Sequence, residues 1–244
     1  MVILRENFIM HRINHHSDKQ LNSLWWLWLP VTALIVQVIL ELVLPANVRS
    51  MLMSEWGPHE TLQFLVSAIA CAICAQLLLD RYVRQNLFLF AWIAIAFLGT
   101  LYIAGEEISW GQWIFQWTTP ENWAAINDQQ ETNLHNTSSW LDQKPRLLLE
   151  IGMIVGGLII PLILKYKPDA LPAKFRIIYP PIILMPVVLC AELPKLVEKI
   201  GEVIDMMLFM RVSEINELYM FYFILLYMII LSGRIKDRPL NEKP

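Results

Sequence analysis

Residues 87–117 read LFLFAWIAIAFLGTLYIAGEEISWGQWIFQW. The first eighteen, 87–104, carry no charge. As a helix they come close to spanning the ~30 Å hydrocarbon layer of a bilayer, which takes about 20 apolar residues. The run stops on two adjacent carboxylates, Glu106 and Glu107, and spends three indoles directly afterwards, Trp110, Trp113 and Trp117. Its length fixes a transmembrane reading, and its end marks where the chain surfaces.

The same kind of block recurs on both sides. Six segments have spanning length: about 24–44, 61–79, 86–104, 147–165, 175–193 and 215–232. The chain has 244 residues, 56% hydrophobic and 17% charged, whereas a soluble domain carries roughly a quarter charged. The expected fold class is all-α: a polytopic membrane helix bundle of about six transmembrane helices, with a long outer loop at 105–146 and an interfacial amphipathic helix at 195–209. The domain reading is a tail at 1–23, a single transmembrane domain at 24–232 and a second tail at 233–244. Pro180, Pro181 and Pro186 interrupt the fifth segment, so it either bends or re-enters. The first segment starts late and is too long for a signal-peptide core, which makes it a retained span.

Cations set the orientation. With the N-terminus inside, six of the 19 Lys and Arg fall on the outer side: Arg49, Lys144, Arg146, Lys195, Lys199 and Arg211. The other 13 fall inside. Both termini are therefore expected in the cytoplasm. The acids sort oppositely: Glu41, Glu60, Glu106, Glu150, Glu192 and the Glu214–Glu217 pair stand near the outer ends of the spans, with Asp80 the near exception. Glutamate has too short a stem to reach far toward water. Glu41, Glu150 and Glu217 are thus expected just inside the boundary, around an outward-facing acidic cavity; solvated decoration of the span ends is the competing reading.

Two stretches of the outer loop carry candidate chemistry. Continued as a helix at about 100° per residue, 105–117 places Trp110, Trp113 and Trp117 within about 40° of Glu106, with Ser109, Gln112 and Gln116 on a neighbouring polar stripe. Indoles favour headgroup depth, where they anchor the chain or stack on a sugar or lipid headgroup. The second stretch is NDQQETNLHN, 127–136. Pro120 signals a helix start, and a helix would align Asp128, Glu131 and His135 at i, i+3 and i+7. An alternating register, Asn127, Gln129, Glu131, Asn133 and His135, is the extended alternative.

The candidate catalytic residues are Glu106, Glu107, Glu131 and His135, with Trp110, Gln112, Asn127, Asn136, Glu150 and Glu217 as substrate-binding candidates. Glu131 and His135 could hold a divalent metal, or act as acid and base; a hydrogen-bonded polar loop capping the bundle is the plainer possibility. The scarcity of outer histidines, His59 and His135 alone, excludes a three-histidine zinc site within one chain. Cys71 and Cys74 form C-x-x-C inside an apolar run without an activating cation, so they read as small core residues.

EEISWGQ (106–112) and NDQQETNLHN (127–136), followed by SEINEL (213–218), resemble the loop motifs of a bacterial family of small multi-pass inner-membrane proteins with no assigned activity. That family pattern often carries Arg after WGQ, where this chain has Trp113. The resemblance implies six spans in the bacterial inner (cytoplasmic) membrane.

Three functions compete. One is an enzyme at the outer face acting on a lipid or lipid-linked substrate; another is a structural or assembly subunit among envelope proteins. The third, a proton- or cation-coupled transporter, needs polar groups through the bundle, and the inner halves of the spans are almost wholly apolar. Membrane lipids are the expected partners. No basic face suggests nucleic acid, and no nucleotide-binding or nucleophile-elbow signature is present.

Overall fold

The computed structural model describes residues 21–54, 57–127 and 129–238. Expectations for the outermost parts of both tails and for Asp128 lie outside these residues. The described secondary structure is helical, without strands. Six helices are long and apolar enough to cross a membrane: α1 (Leu24–Val43), α2 (Pro58–Leu79), α3 (Leu87–Glu107), α4 (Ser139–Tyr166), α5 (Ala173–Ile204) and α6 (Val212–Lys236). Apolar side chains such as Ile95, 69% exposed, line their outer surfaces, an arrangement suited to hydrocarbon and costly in water. The chain is a multi-pass membrane protein.

It divides into two compact units, Ser50–Ile151 and the combination of Met1–Arg49 with Gly152–Pro244. In the first, α2 and α3 form a hairpin. The inward face of α2 carries Gln63, Ser67, Ala70, Cys74 and Leu77, at helical spacing. Against it α3 sets Leu89, Ile93, Thr100 and Ala104. Small residues let the two backbones approach. The hydroxyls remain satisfied locally, Ser67 donating to the Gln63 carbonyl (2.6 Å) and Thr100 to that of Ala96 (2.8 Å). The hairpin connection explains the misplaced acid: Asp80 caps the short helix Arg81–Gln85, accepting from the N–H groups of Tyr82 and Val83, and Asn86 caps α3 through the Leu89 N–H. Cys71 and Cys74 are free thiols.

In the second unit α6 is the most buried of the six spans, with two-thirds of its most apolar stretch inside, as suits a central helix. Tyr219 and Tyr222 reach α1, donating to the carbonyls of Pro30 and Trp25 at 2.7 Å each. Widened π-turns at Leu24–Trp28 and Val155–Ile159 precede Pro30 and Pro161, whose missing N–H groups break the ordinary ladder. The fifth segment is broken rather than straight. Two 3-10 turns, Ala173–Ile178 and Ile182–Leu184, flank Pro180 and Pro181 before the regular helix Met185–Ile204 begins. A proline at 181 cannot donate to the Ile177 carbonyl, and Arg234, itself buried, takes that role at 2.9 Å. Its guanidinium also donates to the Tyr179 carbonyl (2.6 Å), and Tyr227 supplies that of Ile178 (2.8 Å).

Two expectations change in this unit. Residues 195–204 are no separate surface helix: they continue Met185–Ile204, which ends where Asp205 turns left-handed (φ 54°) and the Met206 N–H closes on the Gly201 carbonyl. Glu41 is no open cavity acid either. It is buried and ion-paired to Arg49 at 2.9 Å, with Gln37 on its other oxygen at 3.0 Å.

Candidate functional site

The loop between α3 and α4 is folded by its own polar side chains, all within the Ser50–Ile151 unit. It starts with a reversal. The α3 helix stops at Glu107, and Ser109, Trp110 and Gly111 all take positive φ (46°, 55° and 102°). Such a conformation is cheap for glycine and costs about 1 kcal/mol at other residues. The turn therefore exists because its contacts over-determine it. The Trp110 indole lies back along α3, so close to Gly105 that a Cβ there would sit 2.9 Å from the ring, and it meets Tyr102 edge-on at 6.4 Å. The single indole stripe expected from a continuing helix does not form, because the reversal sends the three rings apart. Trp113 is buried, donating to Ser109 Oγ (2.8 Å), while Trp117 stacks on Phe115.

Glu106 is the centre of the arrangement. Its side chain is 5% exposed. Oε1 accepts from Trp110 Nε1 at 2.5 Å. Oε2 accepts from the backbone N–H groups of Leu134 (2.7 Å) and His135 (2.8 Å), and lies 3.0 Å from His135 Nδ1. Hydrogen bonds to an ionised acceptor are worth about 1.5–3 kcal/mol each, which offsets a burial cost of several kcal/mol. A carboxylate on Nδ1 holds the proton there and leaves the lone pair on Nε2. The imidazole is 34% exposed, so it stands between the buried acid and the outside.

Glu131 anchors a second layer. Its Oε2 accepts from Ser109 Oγ and Asn133 Nδ2, both at 2.6 Å. Asn127, buried, holds the turn together: Nδ2 donates to Asn133 Oδ1 (2.8 Å) and its carbonyl (3.0 Å), while Oδ1 accepts from the N–H groups of Gln129 and Glu131. Gln112 joins the two motifs, accepting from the Thr132 N–H (2.8 Å) and Oγ1 (2.9 Å) and donating to Thr119 Oγ1 (2.7 Å). Neither the helix nor the extended register expected for 127–136 is present. The side chain of Asn127 captures the N–H groups that a helix would use, and Gln130 turns left-handed at φ 58°.

The structure thus brings together Glu106, Trp110 and His135 directly, and Gln112, Asn127 and Glu131 through Ser109, Thr132 and Asn133. These three connecting residues were not singled out from the sequence as site residues. The N-x-x-x-x-x-N spacing of Asn127 and Asn133 was the available signal for a side-chain-built turn. Asn136 bonds Gln129 at the exposed edge of the loop. Glu107 is half-buried on the last turn of α3, Glu150 half-buried on α4, and Glu217 belongs to the other unit. Among the described residues no group of three or more His, Cys, Asp and Glu is placed to hold a metal ion; Glu131 and His135, the candidate ligand pair from the sequence, engage different partners.

No protein-family model, curated protein or solved structure matches the chain.

Proposed function

We propose that this protein is an acid–base enzyme of the bacterial inner membrane, with His135 as general base at the outer face and a lipid or lipid-linked molecule as substrate. In this reading both termini are cytoplasmic, and the chain is one of the small multi-pass proteins its loop motifs resemble. The observation that carries it is the contact of a buried carboxylate with a partly exposed imidazole, Glu106 Oε2 to His135 Nδ1 at 3.0 Å. Nε2 takes a proton from a water or substrate hydroxyl, and Glu106 stabilises the imidazolium that results, as the carboxylate does in a hydrolase triad. Glu106 is a positioning residue, since its oxygens are occupied by the loop. Glu131 shapes the loop beside this pair, through Ser109 and Asn133. The donor set favours acid–base work over metal ligation, because Glu131 and His135 are directed to different neighbours.

The test compares lipid and lipid-linked glycan profiles of cells lacking the gene with cells restored by wild type, His135→Gln or His135→Ala. The expected result is restoration by wild type alone, at equal protein levels. Restoration by both variants would remove the proposal.

A second reading, a structural or assembly subunit of an envelope complex, is favoured by one observation. Glu106, Asn127 and Gln112 spend their hydrogen-bonding capacity on the loop's own backbone and side chains, as a rigid cap requires.

A further inference from the structure

The segment that follows the reversal has its polarity inside out. Ser109 is fully buried and Gln112 turns inward to Thr119 and Thr132. Trp113 is buried, but the apolar side chains that follow it point outward: Ile114 is 62% exposed and Phe115 74%, with Trp117 stacked on Phe115 at 6.2 Å. A water-facing turn arranges itself the other way.

Several of its backbone groups are met within the segment, as lipid favours. The Gly111 N–H donates to the Ile108 carbonyl and that of Gln116 to Gln112. Two carbonyls are met by side-chain amides, Trp113 by Gln116 Nε2 (2.6 Å) and Trp117 by Gln112 Nε2 (3.2 Å). Depth follows from α3. The Trp110 ring reaches back to Tyr102 and Gly105 within the span, which ties the start of the turn to the membrane end of α3. The Gly111 backbone in turn sits against the Phe115 and Trp117 rings.

We infer that Ile114, Phe115 and Trp117 form a wedge seated in the bilayer at the boundary of headgroups and acyl chains, with lipid as its occupant. The wedge deepens the functional reading above, since it would hold His135 near lipid headgroups, yet it rests on the membrane setting alone. It assigns the indoles separate tasks. Trp117 contacts lipid, whereas Trp113 and Trp110 build the fold. Interfacial apolar segments of this kind sit about 5–10 Å into the headgroup boundary.

The experiment places one nitroxide label at Phe115→Cys in full-length protein whose Cys71, Cys74 and Cys190 are replaced by Ala, reconstituted alone in phosphatidylethanolamine–phosphatidylglycerol vesicles. A second label at Gln143→Cys, an exposed site beside Lys144, serves as the aqueous reference. Ile114→Cys replaces Phe115→Cys should the latter fail to fold. Collisions with oxygen should exceed those with a water-soluble nickel complex at 115 and fall below them at 143. Equal, water-like behaviour at both positions overturns the wedge. So does a label at 115 that is wet in vesicles but protected in native membranes, because a protein would then be its cover. A buried label combined with full function of the His135 variants leaves the wedge standing and removes the enzyme reading alone.

Discussion

Glu106 and Arg234 are both buried charges, and each gathers backbone groups of one polarity. Glu106 collects N–H donors from Leu134 and His135 at the end of α3, and Arg234 collects carbonyls from Ile177 and Tyr179 near the end of α6. The Arg234 site repairs a defect that the sequence itself creates, since prolines at 180 and 181 strip donors from a membrane helix. The Glu106 site repairs nothing; α3 has already ended, and the carboxylate instead recruits a distant strip of chain and an imidazole. One charge holds a fold that would otherwise have orphan carbonyls, while the other builds a loop that did not have to exist. That contrast makes the loop, rather than the proline break, the place to look for function.

The contrast can be broken by substitution. Arg234→Ala should have the largest effect on stability, about 2–6 kcal/mol for two carbonyls left without a donor at roughly 1–3 kcal/mol each, read as a fall in the melting temperature of the detergent-solubilised protein. Arg234→Lys should recover only part of it, because an ammonium lacks the planar fork of donors. Glu106→Gln should cost less, about 1–3 kcal/mol, as one neutral oxygen replaces the carboxylate facing two N–H groups. Its signature is local: protease cleavage within 112–136 should rise while the spans stay intact. Equal protease resistance in wild type and variant would show that Glu106 does not hold the loop. Asn127→Ala should open the same turn at about 1–2 kcal/mol, with cleavage near Gln130. Smallest is His135→Ala, at about 1 kcal/mol or less, since the backbone N–H groups of 134 and 135 keep their carboxylate. Loss of the lipid-profile phenotype with nearly unchanged melting would separate chemistry from architecture.

The spans were legible because apolar length is a property of consecutive residues. The six blocks read from hydrophobicity correspond to α1–α6, with the fifth interrupted at Pro180 and Pro181, where the prolines imply a bend or a re-entrant turn. The loop was legible only in its membership. Glu106 and His135 could be named as candidates, but their contact spans 29 residues, and no local periodicity encodes such a pairing. Periodicity misled at 105–117 because it assumes that the helix continues, while Ser109 and Trp110 adopt a conformation that ordinary side chains rarely announce. Gly111 was the one local hint of a turn. At 127–136 the helix reading failed for a reason written in the residues, since asparagine competes for backbone N–H groups. Glu41 was legible as an acid near the membrane boundary, yet its partner Arg49 lies eight residues on, across a turn.

The chain segment that builds the candidate site is continuous. Every partner of Glu106, from Trp110 to His135, is encoded before α4 begins. During synthesis the cluster can therefore close as soon as His135 has emerged, while the second half of the protein is still on the ribosome. Domains and subdomains generally form in this N-to-C order. The imidazole–carboxylate contact would then be among the earliest tertiary features of the nascent protein, already present when the proline-broken span arrives.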